Sequence, residues 1–151
     1  KSGLESQAKA EFKAVVDAIC DRWADDRPDA IAAVDARGFI FGGAVAYQLG
    51  CGFIPLRKKG KLPGETVTES YTLEYGSNTI EMHADAVKPG ERVLLVDDLL
   101  ATGGTAVASV KLLRRRGAVV SGFEFLVELC FLNGRARLQD VPVYSLLQVE
   151  D

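Results

Sequence analysis

The chain has 151 residues, 48% of them hydrophobic, and a formal net charge of -3, which predicts a single domain, 1–151, with a full hydrophobic core. No apolar run approaches the roughly 18 residues that cross a membrane, and the first residues lack the apolar segment of a signal peptide. The negative charge argues against general nucleic-acid binding. We therefore expect neither a membrane nor a nucleic-acid partner.

Cysteine and histidine are sparse. Cys20, Cys51 and Cys130 are far apart and odd in number, which favours free thiols in a reducing, cytoplasmic location over a disulfide framework. His83 is the only histidine, so a zinc site is not favoured. His83 also has no acid–base partner next to it in the sequence, and we expect it to be structural or exposed.

The first part of the chain alternates helical and strand patterns. Apolar residues at helical spacing predict an amphipathic helix over residues 7–26, with Trp23 in the core. A short apolar strand and a polar turn follow in "DAIAAVDARG". A helix over 39–50, ending at a glycine, and a strand over 51–57 come next.

The middle of the chain is polar and then alternating. Residues 58–70 contain two glycines, one proline and few apolar side chains, which predicts a long exposed loop. The runs "YTLEYG" and "NTIEMH" alternate apolar and polar residues, with a turn expected at Gly76, Ser77 and Asn78. These features predict an antiparallel hairpin beside a flexible loop.

The last part contains a buried strand, a helix and two more strands. Residues 88–98, "KPGERVLLVDD", predict a turn followed by a strand that is continuously apolar before its aspartates, as in strands covered on both faces of a parallel sheet. A helix over 105–117 and strands over 118–129 and 141–149 follow. This order predicts an α/β fold with a mainly parallel twisted sheet flanked by helices, plus the antiparallel hairpin arm.

The stretch "VLLVDDLLATGGTA" has the composition of an anion site. Gly103 and Gly104 allow successive N–H groups to converge on a phosphate at the start of the next helix, and Thr102 and Thr105 add hydroxyl donors. No G-K-[ST] follows the glycines, and "GCGFIP" lacks the last glycine of a dinucleotide fingerprint. A kinase, a GTPase or a dinucleotide enzyme is therefore disfavoured.

Asp97 and Asp98 precede this loop, although carboxylates repel phosphate. A carboxylate can accept hydrogen bonds from two vicinal hydroxyls, so a sugar diol beside a phosphate would explain the pair. The ligand predicted by the combination is a ribose 5-phosphate. An alternative is that Asp98 only caps a helix and Asp97 is solvated.

Four cations, Arg57, Lys58, Lys59 and Lys61, lie within five residues of an otherwise acidic chain. Charge runs are usually solvated surface. This run, however, starts where a strand ends and continues into a glycine- and proline-containing loop, which could close over a polyanion.

These motifs resemble a known family. "VLLVDDLLATGGT" resembles the phosphoribosyl-pyrophosphate (PRPP) motif of the type I phosphoribosyltransferases. "DARGFIFG" and "RKKGKLPGETVTESYTLEYG" resemble the adenine-using branch, and the likeness runs from about Ile31 to "VYSLLQVE". The resemblance implies a three-layer fold and the purine-salvage reaction adenine + PRPP to AMP + pyrophosphate. It also implies a homodimer, and Mg²⁺ that is held by the substrate with no direct protein ligand.

The resemblance also implies roles for individual residues. Glu74, Arg37, Asp97 and Asp98 would be catalytic, and the two aspartates would hold the ribose. The 5'-phosphate would bind at Ala101, Thr102, Gly103, Gly104 and Thr105. Pyrophosphate would bind at Ala36, Arg37, Gly38, Arg57, Lys58 and Lys61. Glu74 and Tyr75 would serve the base and the loop. Without the resemblance, Arg37 could equally form a surface salt bridge, and Glu74 could be an exposed edge-strand residue.

The sequence leaves the hood, the base and the functional class open. Adenine enzymes of the family usually carry a Phe-Arg-Asp-Ile-like run that folds over the base as a hood, whereas only "KSGLESQ" precedes the first helix here, so we expect the hood to be short or missing. Another purine, hypoxanthine, guanine or xanthine, is the alternative substrate. A non-catalytic PRPP-sensing regulator is the alternative class, although the acidic chain and the complete loop argue against it.

Overall fold

The structure is a computed structural model that describes residues 2–73 and 76–151. Its helices are α1 (Ser2–Trp23), α2 (Arg37–Leu49) and α3 (Gly104–Arg115). Its strands are β1 (Ala30–Val34), β2 (Gly52–Lys58), β3 (Thr66–Leu73), β4 (Gly76–His83), β5 (Arg92–Leu100), β6 (Val119–Leu129) and β7 (Val143–Val149). Two 3-10 helices, Cys130–Leu132 and Gly134–Leu138, connect β6 to β7. Among these described helices, none combines the length and apolar character needed to span a bilayer.

The strands form one seven-stranded sheet in the order β3-β4-β2-β1-β5-β6-β7. Strands β2, β1, β5, β6 and β7 run parallel to one another. Strands β3 and β4 form an antiparallel hairpin, and β4 joins it to the sheet by pairing antiparallel with β2. The expected mainly parallel sheet with a hairpin arm is confirmed. The parallel strands therefore end along one edge, where ligands bind in open α/β sheets.

Apolar side chains of the central strands alternate between two cores. Val93 and Leu95 of β5 pack with α3, whereas Leu94 and Val96 pack with α1 and α2. This alternation follows from the period of two in a strand. It places helices on both faces, so the expected three-layer arrangement is confirmed.

The end of α1 is fixed to the sheet by a polar contact inside the second core. Trp23 is 6% exposed, and its Nε1 donates to Glu124 Oε2 at 2.7 Å. Gly122 leaves room for the indole, since a Cβ there would come within 2.8 Å of the ring. The expected core position of Trp23 is confirmed. Cys20 lies in the same core, and burial raises the pKa of its thiol to about 11; all three cysteines are free.

Several predicted boundaries were wrong. The loop expected over 58–70 ends earlier, because β3 begins at Thr66 and pairs along its whole length with β4. The turn expected at 76–78 is also wrong, since these residues pair with 71–73. Hydroxyl and β-branched side chains suit the partly exposed edge strand β3, and strand pairing overrides the local turn signal.

The helix and strand ends that border the ligand edge also differ. The helix expected from residue 39 begins at Arg37, and β5 continues past the aspartates to Leu100. The first helix begins at Ser2 instead of residue 7. The shifts at Arg37 and Asp98 matter for the site, because they place both residues inside regular elements.

Candidate active site

A pocket of about 520 Å³ lies at the edge where β1 and β5 end side by side. This volume is typical of a small-molecule site. Most of the residues expected from the sequence line it: Ala36, Arg37, Lys58, Asp97, Asp98, Ala101, Thr102, Gly103, Gly104 and Thr105. The structure thus brings together the phosphate loop, both aspartates and part of the expected pyrophosphate group.

The phosphate loop ends in an uncapped helix. Gly103 has a positive φ of 92° and precedes α3, which begins at Gly104 without a side-chain cap. The first N–H groups of a helix have no partner within it, and the helix dipole makes this end positive. The ring of Tyr71 lies close to Gly104, since a Cβ there would be 3.3 Å from Tyr71 Cδ2. The hairpin arm therefore forms one wall of a ready anion site.

Asp97 and Asp98 lie within β5, and both line the pocket. The Asp98 N–H donates to Asp97 Oδ1 at 2.8 Å, which brings the two carboxylates to one ligand edge. Burial raises the pKa of Asp97 to about 7. Gly38 lets the start of α2 pack closely against Asp97, because a Cβ at this position would be 3.0 Å from Asp97 Oδ1. Gly38 thus packs beneath Asp97 and does not line the pocket.

The expected cations divide into two groups. The Arg37 Nε is ion-paired with Asp98 Oδ2, and Lys58 lines the pocket. The Arg57 Nε lies 3.2 Å from Asp35 Oδ2 and does not line the pocket itself. Lys61 is exposed on the loop and is not brought to this pocket. Ala36 is the N-cap residue of α2, and the peptide bond between Asp35 and Ala36 is cis.

Sequence reasoning missed a short element behind the phosphate loop. We call the 3-10 helix Gly134–Leu138 the brace helix. A Cβ at Gly134 would lie 2.4 Å from the carbonyl oxygen of Ala101, and Arg137 Nη1 donates to the Thr102 carbonyl at 3.3 Å. The brace helix therefore supports the backbone of the loop from behind.

The brace helix is itself held by an ion pair between a buried glutamate and a partly exposed arginine. Glu128, 4% exposed, accepts from Arg135 Nη2 at 2.7 Å and from Ser145 Oγ at 2.8 Å. These bonds hold the pKa of Glu128 at about 2. The same arginine donates to the Val143 carbonyl at 2.7 Å. Strands β6 and β7 are thus linked to the support of the phosphate loop.

Other lining residues also escaped sequence reasoning. Asp35, Tyr71 and Asn78 contribute polar groups to the pocket wall. Asp35 sits in the "DARG" motif and could have been recognised by its position after β1. Tyr71 and Asn78 come from the hairpin, whose approach to the pocket depends on tertiary structure. Glu74 and Tyr75, expected to serve the base, lie outside the described residues.

The carboxylates of the site suit a metal ion that the substrate helps to hold. Among residues 2–73 and 76–151, no group of three or more His, Cys, Asp or Glu side chains could hold a metal ion. Mg²⁺ usually binds through one or two carboxylates together with substrate phosphates. The carboxylates at this pocket fit only that shared mode, in which the substrate supplies most of the ligands.

Comparison with known proteins agrees with this geometry. The phosphoribosyl transferase domain family matches residues 6–145. An adenine phosphoribosyltransferase from Desulfitobacterium hafniense is 56% identical over 137 residues, covering 91% of this chain and 79% of the relative.

Solved structures give the same result. The adenine phosphoribosyltransferase of Thermoanaerobacter pseudethanolicus superposes with a TM-score of 0.91 at 47% identity, covering 98% of this chain and 86% of that one. The Saccharomyces cerevisiae enzyme, solved with an imino-altritol bisphosphate and adenine, gives a TM-score of 0.84 at 40% identity, covering 89% and 78%. The resemblance drawn from the motifs is confirmed, and the chain belongs to the adenine phosphoribosyltransferase family.

Proposed function

We propose that this chain transfers the phosphoribosyl group of PRPP to N9 of adenine, forming AMP and releasing pyrophosphate. The observation that carries the proposal is the single pocket that joins an uncapped helix start to two adjacent carboxylates. That combination fits a sugar phosphate with free hydroxyls. The names and ligands of the family members supply adenine as the acceptor.

The two halves of the sugar phosphate have separate partners. The N–H groups and hydroxyls of Ala101, Thr102, Gly103, Gly104 and Thr105 would bind the 5'-phosphate. Asp97 and Asp98 would accept hydrogen bonds from the ribose 2- and 3-hydroxyls, bonds that are stronger than those between neutral groups. With both ends held, the anomeric carbon is fixed in the pocket.

Pyrophosphate would leave toward the basic side of the pocket. We assign its binding to Ala36, Arg37, Gly38, Arg57, Lys58 and Lys61. Ala36, Arg37 and Lys58 already line the site, whereas Gly38, Arg57 and Lys61 do not. Arg57 is ion-paired with Asp35, which does line it. Bound Mg²⁺, held by substrate oxygens, would neutralise charge on the leaving group. The side-chain cations would stabilise the same developing charge.

The bond changes explain why carboxylates belong at the ribose. The C1–O bond to pyrophosphate breaks with both electrons leaving on oxygen, and the sugar ring becomes positively charged. N9 of adenine then forms the new bond to C1 and loses its proton. Asp97 and Asp98 favour the positive ring electrostatically, and loop closure would exclude water. Glu74 would hydrogen-bond the base and take part in its proton loss, with Tyr75 packing beside it.

We also propose a homodimer and a cytoplasmic location. Exposed apolar side chains on one face of α2 support association: Ile40 is 60% exposed and Tyr47, two turns on, is 90% exposed. Three free cysteines suit a reducing compartment.

The decisive experiment measures AMP formation from labelled adenine, PRPP and Mg²⁺. The wild type should turn over, and Asp97→Asn/Asp98→Asn should lose at least about 2 orders of magnitude in kcat/KM, since two charge-assisted contacts disappear. Turnover with hypoxanthine or guanine but not with adenine would overturn the choice of base. PRPP binding without turnover on any base, together with salt-dependent DNA binding, would favour a regulator instead.

A further inference from the structure

Glu81 is a buried carboxylate outside the pocket. It contacts the loop that connects β2 to β3, residues 59–65, which carries Lys59 and Lys61. It is 4% exposed and lies two residues before the end of β4. Its Oε1 accepts from the backbone N–H of Gly60 at 3.1 Å and of Leu62 at 2.8 Å, and its Oε2 lies 3.4 Å from Thr66 Oγ1. A carboxylate of the chain thus occupies an anion-binding turn in the loop.

The location of Glu81 follows from the strand alternation. Its neighbours Ile80 and Met82 are buried in the core on the α3 side, so Glu81 points to the opposite face. There the loop between β2 and β3 folds over it. Gly60, with a φ of 89°, allows the turn that aims the N–H groups at one carboxylate.

The same turn carries the loop cations. The Lys61 N–H donates to the Lys58 carbonyl at 3.2 Å, which closes residues 58–61 into a tight turn. Lys58 lines the pocket, and Lys59 is tied to β4 by its N–H bond to the Thr79 carbonyl at 3.1 Å. Fixing the N–H groups of Gly60 and Leu62 therefore fixes the backbone from which these lysines extend.

We propose that Glu81 is a positioning residue, which anchors the loop turn so that its lysines are preorganised for pyrophosphate. The inference rests on the proposed function, because it assumes that the loop receives the pyrophosphate of PRPP. A turn that is already ordered loses less conformational freedom when the polyanion binds. The negative charge suits the role, since a carboxylate binds converging N–H groups more strongly than a neutral acceptor does.

The test compares Glu81→Ala and Glu81→Gln with Glu65→Gln. Glu65 is an exposed carboxylate of the same loop, so its variant removes the same charge without removing the anchor. For Glu81→Ala we expect the KM for PRPP and the Kd for pyrophosphate to rise about tenfold or more, with the KM for adenine unchanged. Glu81→Gln, which keeps one acceptor oxygen, should lie between Ala and wild type. Trypsin should cut the loop after Lys59 or Lys61 faster in Glu81→Ala, while Glu65→Gln should behave as wild type.

The outcomes distinguish a Glu81 that anchors the loop turn from one that has no effect on pyrophosphate binding or restrains the loop. Pyrophosphate binding by the Glu81 variants that is equal to or tighter than that of the wild type would overturn the proposal, and tighter binding would show that Glu81 restrains the loop. If Glu81→Ala does not fold, Glu81→Gln decides the same comparison, because it preserves side-chain shape. A wild type that forms no AMP would refute the proposed function. Pyrophosphate calorimetry and trypsin cleavage would then still decide whether Glu81 anchors the loop.

Discussion

Asp97 is the residue where function and stability oppose each other most directly. Burial raises its pKa from 3.8 to about 7, so its ionised form is unfavourable in the folded state. Because the folded pKa lies above the unfolded one, this carboxyl removes stability as the pH rises from about 4 to 7. The ribose hydroxyls would offset that cost when substrate binds.

Asp97→Asn should therefore stabilise the protein while it destroys activity. We expect a gain of up to about 4 kcal/mol in the free energy of unfolding at pH 8, since the pKa of Asp97 rises from 3.8 to about 7 and each pKa unit corresponds to about 1.4 kcal/mol. At pH 4 the gain should vanish, because the native carboxyl is then neutral. Thermal unfolding followed by circular dichroism at both pH values checks this. An equal Tm difference at pH 4 and pH 8 would show that the effect is not electrostatic.

Among the secondary-structure elements, the brace helix supports the backbone conformation of the phosphate loop. Its Gly134 faces the Ala101 carbonyl so closely that a Cβ would come within 2.4 Å. Gly134→Ala should therefore push the loop away, weaken PRPP binding by about tenfold and cost about 1–3 kcal/mol of stability. PRPP titration by calorimetry and a urea unfolding curve measure both effects.

Gly43→Ala provides the matched control for that change. Gly43 lies within α2, and a Cβ there would meet nothing within 4 Å. It should leave PRPP binding unchanged and add about 0.5–1 kcal/mol of stability, because alanine is the better helix former. If Gly134→Ala bound PRPP as tightly as Gly43→Ala, the brace helix would have no role in shaping the loop.

The sequence predicted the elements whose signals are local. Each of these elements is determined by residues close together in the chain. Examples are the apolar run before Asp97, the glycines of the phosphate loop and the helical periodicity around Trp23. The hairpin turn was misplaced, because Gly76 and Asn78 carry turn signals that strand pairing overrides.

The contacts that sequence reasoning missed all join distant parts of the chain. Gly134 against Ala101 and Glu81 against Gly60 depend on how the sheet brings connections together. Neither a glycine nor a glutamate in a sequence predicts such a contact by itself. Glycine and glutamate are common in loops and on exposed strands, so their neighbours became visible only in three dimensions.

For the whole molecule, the Glu128–Arg135 pair that joins β6, β7 and the brace helix gives a pH-dependent contribution to stability. The pKa of Glu128, about 2 in the folded state, lies below the ordinary 4.5 of a glutamate. Its contribution to stability is therefore complete above about pH 4.5 and is lost as the pH falls toward 2.

Glu128→Gln should consequently lower stability at pH 7 but much less at pH 2.5. Arg135 is 43% exposed, which screens the pair, so we expect a loss on the order of 1–2 kcal/mol, or about 2–8 °C in Tm. Unfolding curves from pH 7 to pH 2.5 should converge for wild type and variant. Parallel curves over that range would show that the loss comes from packing and not from charge.

The alternation along β5 restricts where this chain can change in length. Odd-numbered Val93 and Leu95 belong to one core, and even-numbered Leu94 and Val96 belong to the other. Deleting or inserting one residue within β5, between Arg92 and Asp97, would exchange the two sets and move both carboxylates out of position. We therefore expect insertions and deletions to be tolerated in connections such as residues 84–91, which precede β5 at the end away from the ligand edge, and not between the start of β5 and the phosphate loop.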